Sequence, residues 1–533
     1  MPSMENRWTL TEADLANRFW VHDPTHLGFA MTPLLQSFMI PAVGEAIAHI
    51  TRATGRNSSP REVRIYHGYP YDEVTEKSPE PDPAAARQRL EAMRPQFQGL
   101  RARFDAIVTN ELLPAYEELE GWTHQIQTRA DAAQVVESLV GVYRRIWIRH
   151  MEIVMPVFAV QELFEIIFLE LFPDKMATDA HALLVGASNQ FVETDRALAA
   201  LAESARSLPT IRQVLMDEDA ESALGALPEA QGFLQQLSQV LDRYGWRVGA
   251  GHDFYQKTWR EDPRPALAVI RQFLQTGIAF ETRWKETVAH QQSALQSVLA
   301  QLEPRDKAQF KEIFELASLA RPIDEDHHFY IDAMLPAKSR ALFLAIADLL
   351  LKDGTLAERD DIFFLYRDEL QAMLVGEMSI DRDTLATRKV LYQQYYDETP
   401  PSTLGTPPWE TVDEKAESTE YTLTGMAASA GTWEGTVRVI HGVEDFSRLE
   451  PGEVLVARTT MPSWSGLFAT AGAVVTDSGG ILSHAATVAR EYRVPCVVAT
   501  RKATGTLQDG DRVLVDGNQG TVHVIFRRNS FGS

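Results

Sequence analysis

The chain has 533 residues, more than one ordinary core holds, and this length predicts roughly two to four structural units. Its composition, with 45% hydrophobic and 23% charged residues, is typical of globular proteins, and the longest apolar stretch, Ile153 to Phe172, is interrupted by glutamates. The net charge of −23 argues against a nucleic-acid surface, and no run of about 20 uninterrupted apolar residues suggests a membrane span, so we expect neither a nucleic-acid nor a membrane partner.

Three further features of the composition narrow the class of protein. The N-terminal residues lack the apolar core of a signal peptide, so we expect a cytoplasmic protein. The single cysteine, Cys496, excludes an internal disulfide and reads as a small core residue. From Tyr421 onward ten acidic and ten basic residues balance, so the preceding part of the chain carries all the excess negative charge.

The first polar motif in the chain is a pair of histidines, His22 and His26, that frame Asp23. Their spacing of four residues suits a two-histidine metal site on a helix, but Pro24 disfavours a regular helix there. We therefore predict no metal site in this chain and expect His26 to line a substrate pocket.

Long stretches with apolar residues at three- and four-residue spacings follow, and they predict helices at 83–113, 131–172, 179–205 and 264–302, the second kinked or broken at Pro156. Trp147 and His150 lie one helical turn apart within the second stretch. They form either a substrate-binding pocket wall with a polar handle or a core histidine beside a packed tryptophan, and the second arrangement is the commoner one.

Residues 399–420 contain four prolines and a polar, acidic tail without apolar periodicity, which predicts a semi-rigid linker. Short β-branched runs after it predict strands at 436–440, 454–457, 473–475, 496–499, 512–515 and 521–525. The predicted fold is therefore multidomain, with a large, mainly α-helical N-terminal domain (1–398), the linker (399–420) and a small C-terminal α/β domain (421–533).

The most informative segment joins a strand to a helix between Ala473 and Val498. The strand ends at Thr476, Gly479 and Gly480 supply a turn, and Ser483 is placed to cap a helix that begins at His484. The positive end of a helix dipole disfavours imidazolium and stabilises an anion on the ring. His484 is thus either a neutral nucleophile able to hold a phosphoryl group or a residue that merely begins a helix.

This segment resembles the signature of the swivelling phosphohistidine domain of phosphoenolpyruvate-utilising enzymes. The matching residues are Thr476, Asp477, Gly479, Gly480, Ser483, His484, Ala485, Ala486, Ala489, Arg490, Glu491, Pro495 and Val497. Residues 425–431 and 459–468 are similar to other parts of that domain. The resemblance implies that an exposed His484 carries a phosphoryl group on Nε2 between two sites. It also implies that Thr476 and Ser483 hydrogen-bond the ring or its phosphate, and that Arg490 pairs with phosphate or with a carboxylate.

Two parts of the larger enzymes of this family have no counterpart in the sequence. The chain ends 49 residues after His484, where those enzymes continue into a pyruvate-binding barrel, so we expect no pyruvate half-reaction. The first half shows no glycine-rich, lysine-bearing nucleotide site. We therefore expect ATP and Mg²⁺ to be bound by a separate ATP-grasp subunit, and no cofactor to be held tightly by this chain.

The helical half resembles the substrate domain of rifampicin phosphotransferases and, in layout, the histidine-bearing subunit of phenylphosphate synthase. Residues 20–35 look like the opening segment of that domain, and residues 332–370 look like its closing segment. Rifampicin phosphotransferases typically carry Arg-Glu-x-x-Lys where this chain retains Arg321 without an obvious lysine. We therefore expect an acceptor that is not a rifamycin.

The stretch after Arg321 supplies the remaining candidates for catalysis. Arg321 is able to neutralise phosphoryl oxygens with two parallel hydrogen bonds. The proton of an acceptor hydroxyl would go to His327 or His328, or to one of the carboxylates Asp324, Glu325 and Asp326. A solvated acidic loop is the alternative interpretation of the same residues.

These observations predict a dikinase-type phosphotransferase subunit in which His484 carries a phosphoryl group from a partner's ATP site to a small hydroxyl acceptor. Aromatic or phenolic alcohols are the favoured acceptors, because a strongly acidic domain suits a neutral molecule better than an anion. A non-enzymatic phosphocarrier or regulatory protein is the alternative, and an enzyme that shuttles phosphate without ATP is a third.

Overall fold

The computed structural model describes residues 8–22, 28–53, 62–76, 82–217, 219–248, 252–277, 279–409, 422–461, 464–481 and 483–527. Within these residues a large helical body precedes a small C-terminal domain built on a mixed sheet. This division confirms the predicted fold class.

The described part of the helical body contains seventeen α-helices. They are α1 (Glu12–Asn17), α2 (Pro33–Ala53), α3 (Pro83–Phe97), α4 (Leu100–Ile107), α5 (Leu113–Gln125), α6 (Arg129–Leu171), α7 (Ala177–Ala182), α8 (Gln190–Arg206), α9 (Pro209–Leu215), α10 (Ala220–Gly225), α11 (Gln231–Tyr244), α12 (Arg264–Thr276), α13 (Phe280–Ala300), α14 (Pro304–His327), α15 (Met334–Lys352), α16 (Arg367–Leu374) and α17 (Arg382–Asp397). Single π-helical turns at Val108–Leu112 and His328–Ala333 join α4 to α5 and α14 to α15, and 3₁₀ turns lie at Pro228–Ala230 and Arg359–Phe364.

The helix boundaries differ from the predicted ones for local reasons. Helix α6 is a single helix of 43 residues that continues through Pro156, so the break predicted there is wrong. Thr128 begins it with a reciprocal capping box to Asp131. The predicted helix 264–302 is two helices, because Gly277 adopts a left-handed φ of 64° that ends α12.

Helix α2 is the most apolar long helix among the described residues. Its segment Pro33–Arg52 is long and apolar enough to cross a membrane, with a mean hydropathy of 1.2, whereas the sequence pattern pointed to Ile153 to Phe172 as the longest apolar stretch. In the structure 56% of that segment is buried, and the helix packs along α6 inside the helical body. A core helix of this kind satisfies the same length and composition test.

A small antiparallel sheet, which the sequence patterns did not predict, lies beside the helices. It is formed by β1 (Trp20–His22), β2 (Val63–Tyr66), β3 (Tyr69–Glu73) and β4 (Thr403–Leu404), in the order β2-β3-β1-β4. Strand β4 belongs to the predicted linker, and Tyr71 donates a hydrogen bond to the carbonyl of Pro401 at 2.7 Å. The start of the linker is therefore fixed to the helical body, whereas residues 410–420 lie outside the described residues.

The C-terminal domain is an eight-stranded mixed sheet with three short helices. Its elements are β5 (Thr422–Thr424), β6 (Met426–Ser429), β7 (Thr432–Val439), β8 (Val454–Ala457), α18 (Ser465–Thr470), β9 (Ala473–Thr476), α19 (His484–Tyr492), β10 (Cys496–Val498), α20 (Ala503–Thr506), β11 (Arg512–Asp516) and β12 (Thr521–Phe526). The strand order is β5-β12-β11-β7-β8-β9-β10-β6, with β7 to β10 parallel. Helices α18 and α19 are the crossovers between neighbouring parallel strands.

Three apolar cores hold the described structure together. The first lies inside the helical body. The third lies on one face of the C-terminal sheet and contains residues of that domain only. The second is shared: side chains of α8 to α13 pack against α18, α19 and the other face of the sheet. The C-terminal domain is therefore docked on the helical body through an apolar surface that includes α19.

Candidate active site

His484 is the first residue of α19, as predicted, and the loop before it decides where the ring lies. Gly479 has a φ of 122°, and a Cβ atom there would lie 2.9 Å from the hydroxyl of Ser483. Gly479 is therefore required by the turn, but a Cβ at Gly480 would meet nothing within 4 Å. Ser483 occupies the N-cap position, yet its buried hydroxyl has no hydrogen-bond partner among the described residues.

The two nitrogens of the His484 ring have different surroundings. Nδ1 lies 3.0 Å from the hydroxyl of Thr460. Nε2 is enclosed and has no hydrogen-bond partner in the described part of the chain. When Nδ1–H donates to Thr460, the lone pair of the ring is on Nε2, which is the nucleophilic tautomer. Phe191 of α8 and Phe468 of α18 meet the ring edge to face, with centroids at 6.4 and 6.1 Å.

Burial, with smaller contributions from Arg247 and His328, lowers the pKa of His484 to about 3. The ring is therefore neutral at physiological pH, in agreement with the prediction from the helix dipole. The expected exposure is wrong for this docked arrangement: the ring is only partly accessible, because α8 and the second core cover it.

Two residues expected to support the ring or its phosphate bind elsewhere. The hydroxyl of Thr476 donates to the carbonyl of Ser478 at 2.7 Å, and Arg490 is buried and donates to the carbonyl of Ala428 at 2.9 Å. Thr460 makes the contact with the ring instead. Thr460 lies in the segment 459–468, which resembles part of the swivelling phosphohistidine domain. That resemblance is the signal in the sequence that could have identified Thr460.

Arg321 is bound by side chains of its own helix and of α19. Its buried guanidinium donates to Asp324 at 2.5 Å and to Glu325 at 2.9 Å, as spacings of three and four residues on α14 allow. It also donates to the hydroxyl of Thr487 on α19 at 2.5 Å. In this arrangement Arg321 links the helical body to α19, and its contact with phosphoryl oxygens stays a prediction. The alternative of a solvated loop is also wrong, because Asp324, Glu325 and Asp326 are buried.

Arg247 is a cation whose charge acts on His484, and no motif in the sequence pointed to it. Its guanidinium lies 4.4 Å from the ring centroid of Phe191 and donates to the hydroxyl of Thr194 at 2.9 Å. Burial lowers the pKa of Arg247 to about 10, so the side chain is still charged at neutral pH. Arg247 is thus a cation held next to the aromatic edge of the site.

Among the predicted proton acceptors, His328 is the one that acts on the pKa of His484. Its Nδ1 lies 2.6 Å from Oδ2 of Asp332, a carboxylate that the sequence interpretation did not select. Burial raises the pKa of Asp332, but the hydrogen bond from His328 and the neighbouring rings of His150 and His327 outweigh it, so the pKa lies well below its ordinary value. The pair is a histidine oriented by an ionised carboxylate.

The remaining predicted residues lie deeper in the body or outside the described structure. Trp147 and His150 are both buried on α6, with ring centroids 4.6 Å apart, as the core arrangement predicts. His150 also lies 5.1 Å from the ring of His327. His26 lies outside the described residues.

Two segments of the chain match models of known protein families. Residues 449–520 match the mobile domain of PEP-utilising enzymes, and residues 149–323 match the fourth domain of rifampicin phosphotransferase. Over residues 449–520 the chain is therefore similar to the mobile domain of PEP-utilising enzymes. The first match contains α19 with His484, and the second contains His150 and Arg321.

Individual relatives extend the similarity along the chain. An uncharacterized phosphotransferase, YvkC of Bacillus subtilis, is 30% identical over 97% of this chain and 63% of its own length. The rifampicin phosphotransferase of Streptomyces sviceus is 30% identical over 66% of this chain and 42% of its own. The prodigiosin synthesizing transferase PigC of Serratia marcescens is 27% identical over 62% and 38%. The chain is thus similar to these transferases and spans less than two thirds of the length of each.

Proposed function

We propose that His484 accepts a phosphoryl group on Nε2 and transfers it to the hydroxyl of a small molecule at the helical body. The observation that carries this proposal is the state of the ring: Nδ1 is held by Thr460, and Nε2 has no partner among the described residues. The lowered pKa leaves Nε2 with its lone pair at neutral pH. A histidine that only began a helix would need neither feature.

The reaction divides into two transfers. In the first, a P–O bond of the donor breaks and a P–N bond to Nε2 of His484 forms. In the second, the P–N bond breaks, a P–O bond to the acceptor forms, and the hydroxyl proton passes to Nε2 of His328, whose Nδ1–H is held by Asp332. Arg247 offsets the charge of the phosphoryl oxygens. Because Nε2 is enclosed in the docked arrangement, α19 has to move away from the body before a donor can reach it.

The donor in this proposal is ATP with Mg²⁺, bound by a nucleotide-binding unit other than the described residues. The relatives are longer than this chain. Their greater length is compatible with a nucleotide-binding unit in the same polypeptide as well as on a separate subunit. The acceptor is a neutral aromatic alcohol or phenol. Phe191 and Phe468 offer aromatic edges beside the ring, and the acidic body disfavours anions.

A small chemical donor tests this proposal without a partner protein. Phosphoramidate labelled with ³²P should place acid-labile, alkali-stable label on the wild type and on the control His290→Gln, which changes an exposed residue of α13. His484→Gln should take up no label. Phenol should then discharge the label as phenyl phosphate.

The outcomes separate the hypotheses. Equal labelling of wild type and His484→Gln would refute a phosphoryl carrier at this residue. Label that forms on His484 but does not transfer to phenols or aliphatic alcohols would refute the enzyme and support the phosphocarrier.

A further inference from the structure

A second cluster of histidines lies inside the helical body, behind the pair formed by His328 and Asp332. It consists of His150, His327 and Asp332, which are 2%, 0% and 6% exposed. One nitrogen of each ring and a carboxylate oxygen all lie within 4.8 Å of one another. Nε2 of His150 is 3.8 Å from Oδ1 of Asp332, and Nε2 of His327 is 3.9 Å from Oδ2. Both separations are too long for hydrogen bonds.

The fold brings these three residues together by a local irregularity. His150 lies on α6, whereas His327 ends α14 and Asp332 lies in the π-helical turn His328–Ala333. In an α-helix, residues five apart point in different directions, but the wider π-helical turn places residue i+5 near the face of residue i. The turn therefore lets one carboxylate face His327 and also accept the hydrogen bond from His328.

The hydrogen bonds around the cluster orient its donor atoms inward. Nδ1 of His327 lies 3.2 Å from the carbonyl of Ile323, so Nδ1 carries the proton and Nε2 presents its lone pair towards Asp332. Oδ2 of Asp332 accepts from His328, but Oδ1 is buried without a hydrogen-bond partner among the described residues. A buried carboxylate oxygen of this kind is costly unless a cation lies beside it.

We propose that His150, His327 and Asp332 bind one divalent transition-metal ion of the Zn²⁺ class. Atoms at these spacings surround a point roughly 2–3 Å from each, and Zn²⁺ takes nitrogen and oxygen ligands at roughly 2.0–2.2 Å. Two imidazoles and one carboxylate are a zinc-type ligand set, whereas Mg²⁺ prefers oxygen ligands throughout. The expectation of a chain without a metal site, which rested on His22 and His26, did not consider this cluster.

The ion would lie beside His328, on the acceptor side of the site, and would fix the carboxylate that orients this ring. The site does not depend on the proposed phosphotransfer, because its ligands belong to the helical body and not to α19. Its test therefore uses metal binding alone, so it can fail while the function of His484 stands, or succeed while that function fails.

Titration of metal-stripped protein with Zn²⁺ and with Co²⁺ tests the proposal. We expect one high-affinity equivalent of Zn²⁺, and visible absorption bands of Co²⁺ with nitrogen and oxygen ligands. His150→Gln and Asp332→Asn should each weaken Zn²⁺ binding at least roughly 100-fold, whereas His290→Gln, on the surface, should leave it unchanged. Circular dichroism confirms that each variant is folded, and either variant alone suffices for the test.

Three results would overturn the site. They are the absence of a tight Zn²⁺ equivalent in the wild type, an equivalent that persists in both folded ligand variants, and tighter binding of Mg²⁺ than of Zn²⁺. Loss of the equivalent in His290→Gln would likewise assign it to a surface histidine.

Discussion

The two ends of helix α19 meet the helical body in different ways. At the N-terminal end, His484 lies between aromatic side chains and makes its hydrogen bond, to Thr460, within its own domain. From Thr487 onward, polar groups of the body bind the helix. These contacts are Arg321 to Thr487, Thr287 to the carbonyl of Glu491, Arg283 to the carbonyl of Tyr492, and the Tyr492 hydroxyl to Asp195.

The difference shows that separate parts of one short helix bind the helical body and hold the reactive ring. Directional hydrogen bonds fix the C-terminal part, while the ring at the other end keeps a nitrogen without a partner. A mobile carrier needs this separation, because contacts that held the reactive nitrogen itself would have to break in every cycle. Variants at each end should therefore change either docking or reactivity.

The largest effect is expected from Arg321→Met. The change leaves the buried Asp324 and Glu325 without their cation and removes the bond to Thr487. Breaking a buried ion pair in this way costs roughly 3–5 kcal/mol. Urea denaturation should show this loss in the free energy of unfolding of the body. Arg305→Met, an exposed change on the same helix, is the control, and equal stability of the two variants would contradict the assigned role.

The second effect is the pH dependence of docking, to which His484 and Glu491, at the two ends of α19, should contribute with opposite signs. Docking lowers the pKa of His484 from an ordinary value of roughly 6.5 to about 3. The docked state then binds fewer protons, so the contribution of His484 to docking is complete above about pH 7 and falls as the pH drops below 6.5. At the other end of α19, burial and the negative charge of Glu325 raise the pKa of Glu491 to about 8. Protonation of Glu491 therefore favours docking as the pH falls below 8.

Substitution separates the two contributions. Between pH 7.5 and 5, the docking equilibrium of the wild type should weaken roughly 30-fold relative to that of His484→Gln. Because the native Cys496 is buried, dyes on His290→Cys and Lys502→Cys report docking by energy transfer. An identical pH response of the wild type and the His484→Gln variant would show that docking does not bury the ring.

The smallest effect should come from Thr460→Val, which keeps the shape of the side chain and removes the hydroxyl that holds Nδ1. One hydrogen bond is worth roughly 1 kcal/mol, so labelling of His484 by phosphoramidate should slow up to about tenfold. Docking should stay as in the wild type, and the melting temperature should fall by no more than a few degrees. Thr459→Val is the matched control, and an unchanged labelling rate in Thr460→Val would exclude Thr460 as the group that positions the ring.

The sequence predicted the elements whose signals are local. Strand β8 has the predicted bounds, and β9 and β10 differ by one residue, because short β-branched runs between turn residues define buried parallel strands. The N-terminal sheet escaped prediction because β1 has three residues and β4 has two, and their pairing joins parts of the chain some 380 residues apart. Short strands are stabilised by distant partners, and no local pattern records those partners.

The same distinction applies to the candidate site. The strand, the glycine turn and the helix start are adjacent in the chain, so the sequence by itself determined that His484 begins a helix as a neutral ring. Only the tertiary structure decided that Thr460 holds the ring, that Arg247 supplies the nearby charge, and that a π-helical turn brings Asp332 to His150 and His327. These contacts depend on how separate helices pack and on one irregular turn. The spacing of residues along the chain predicts neither the packing nor the turn.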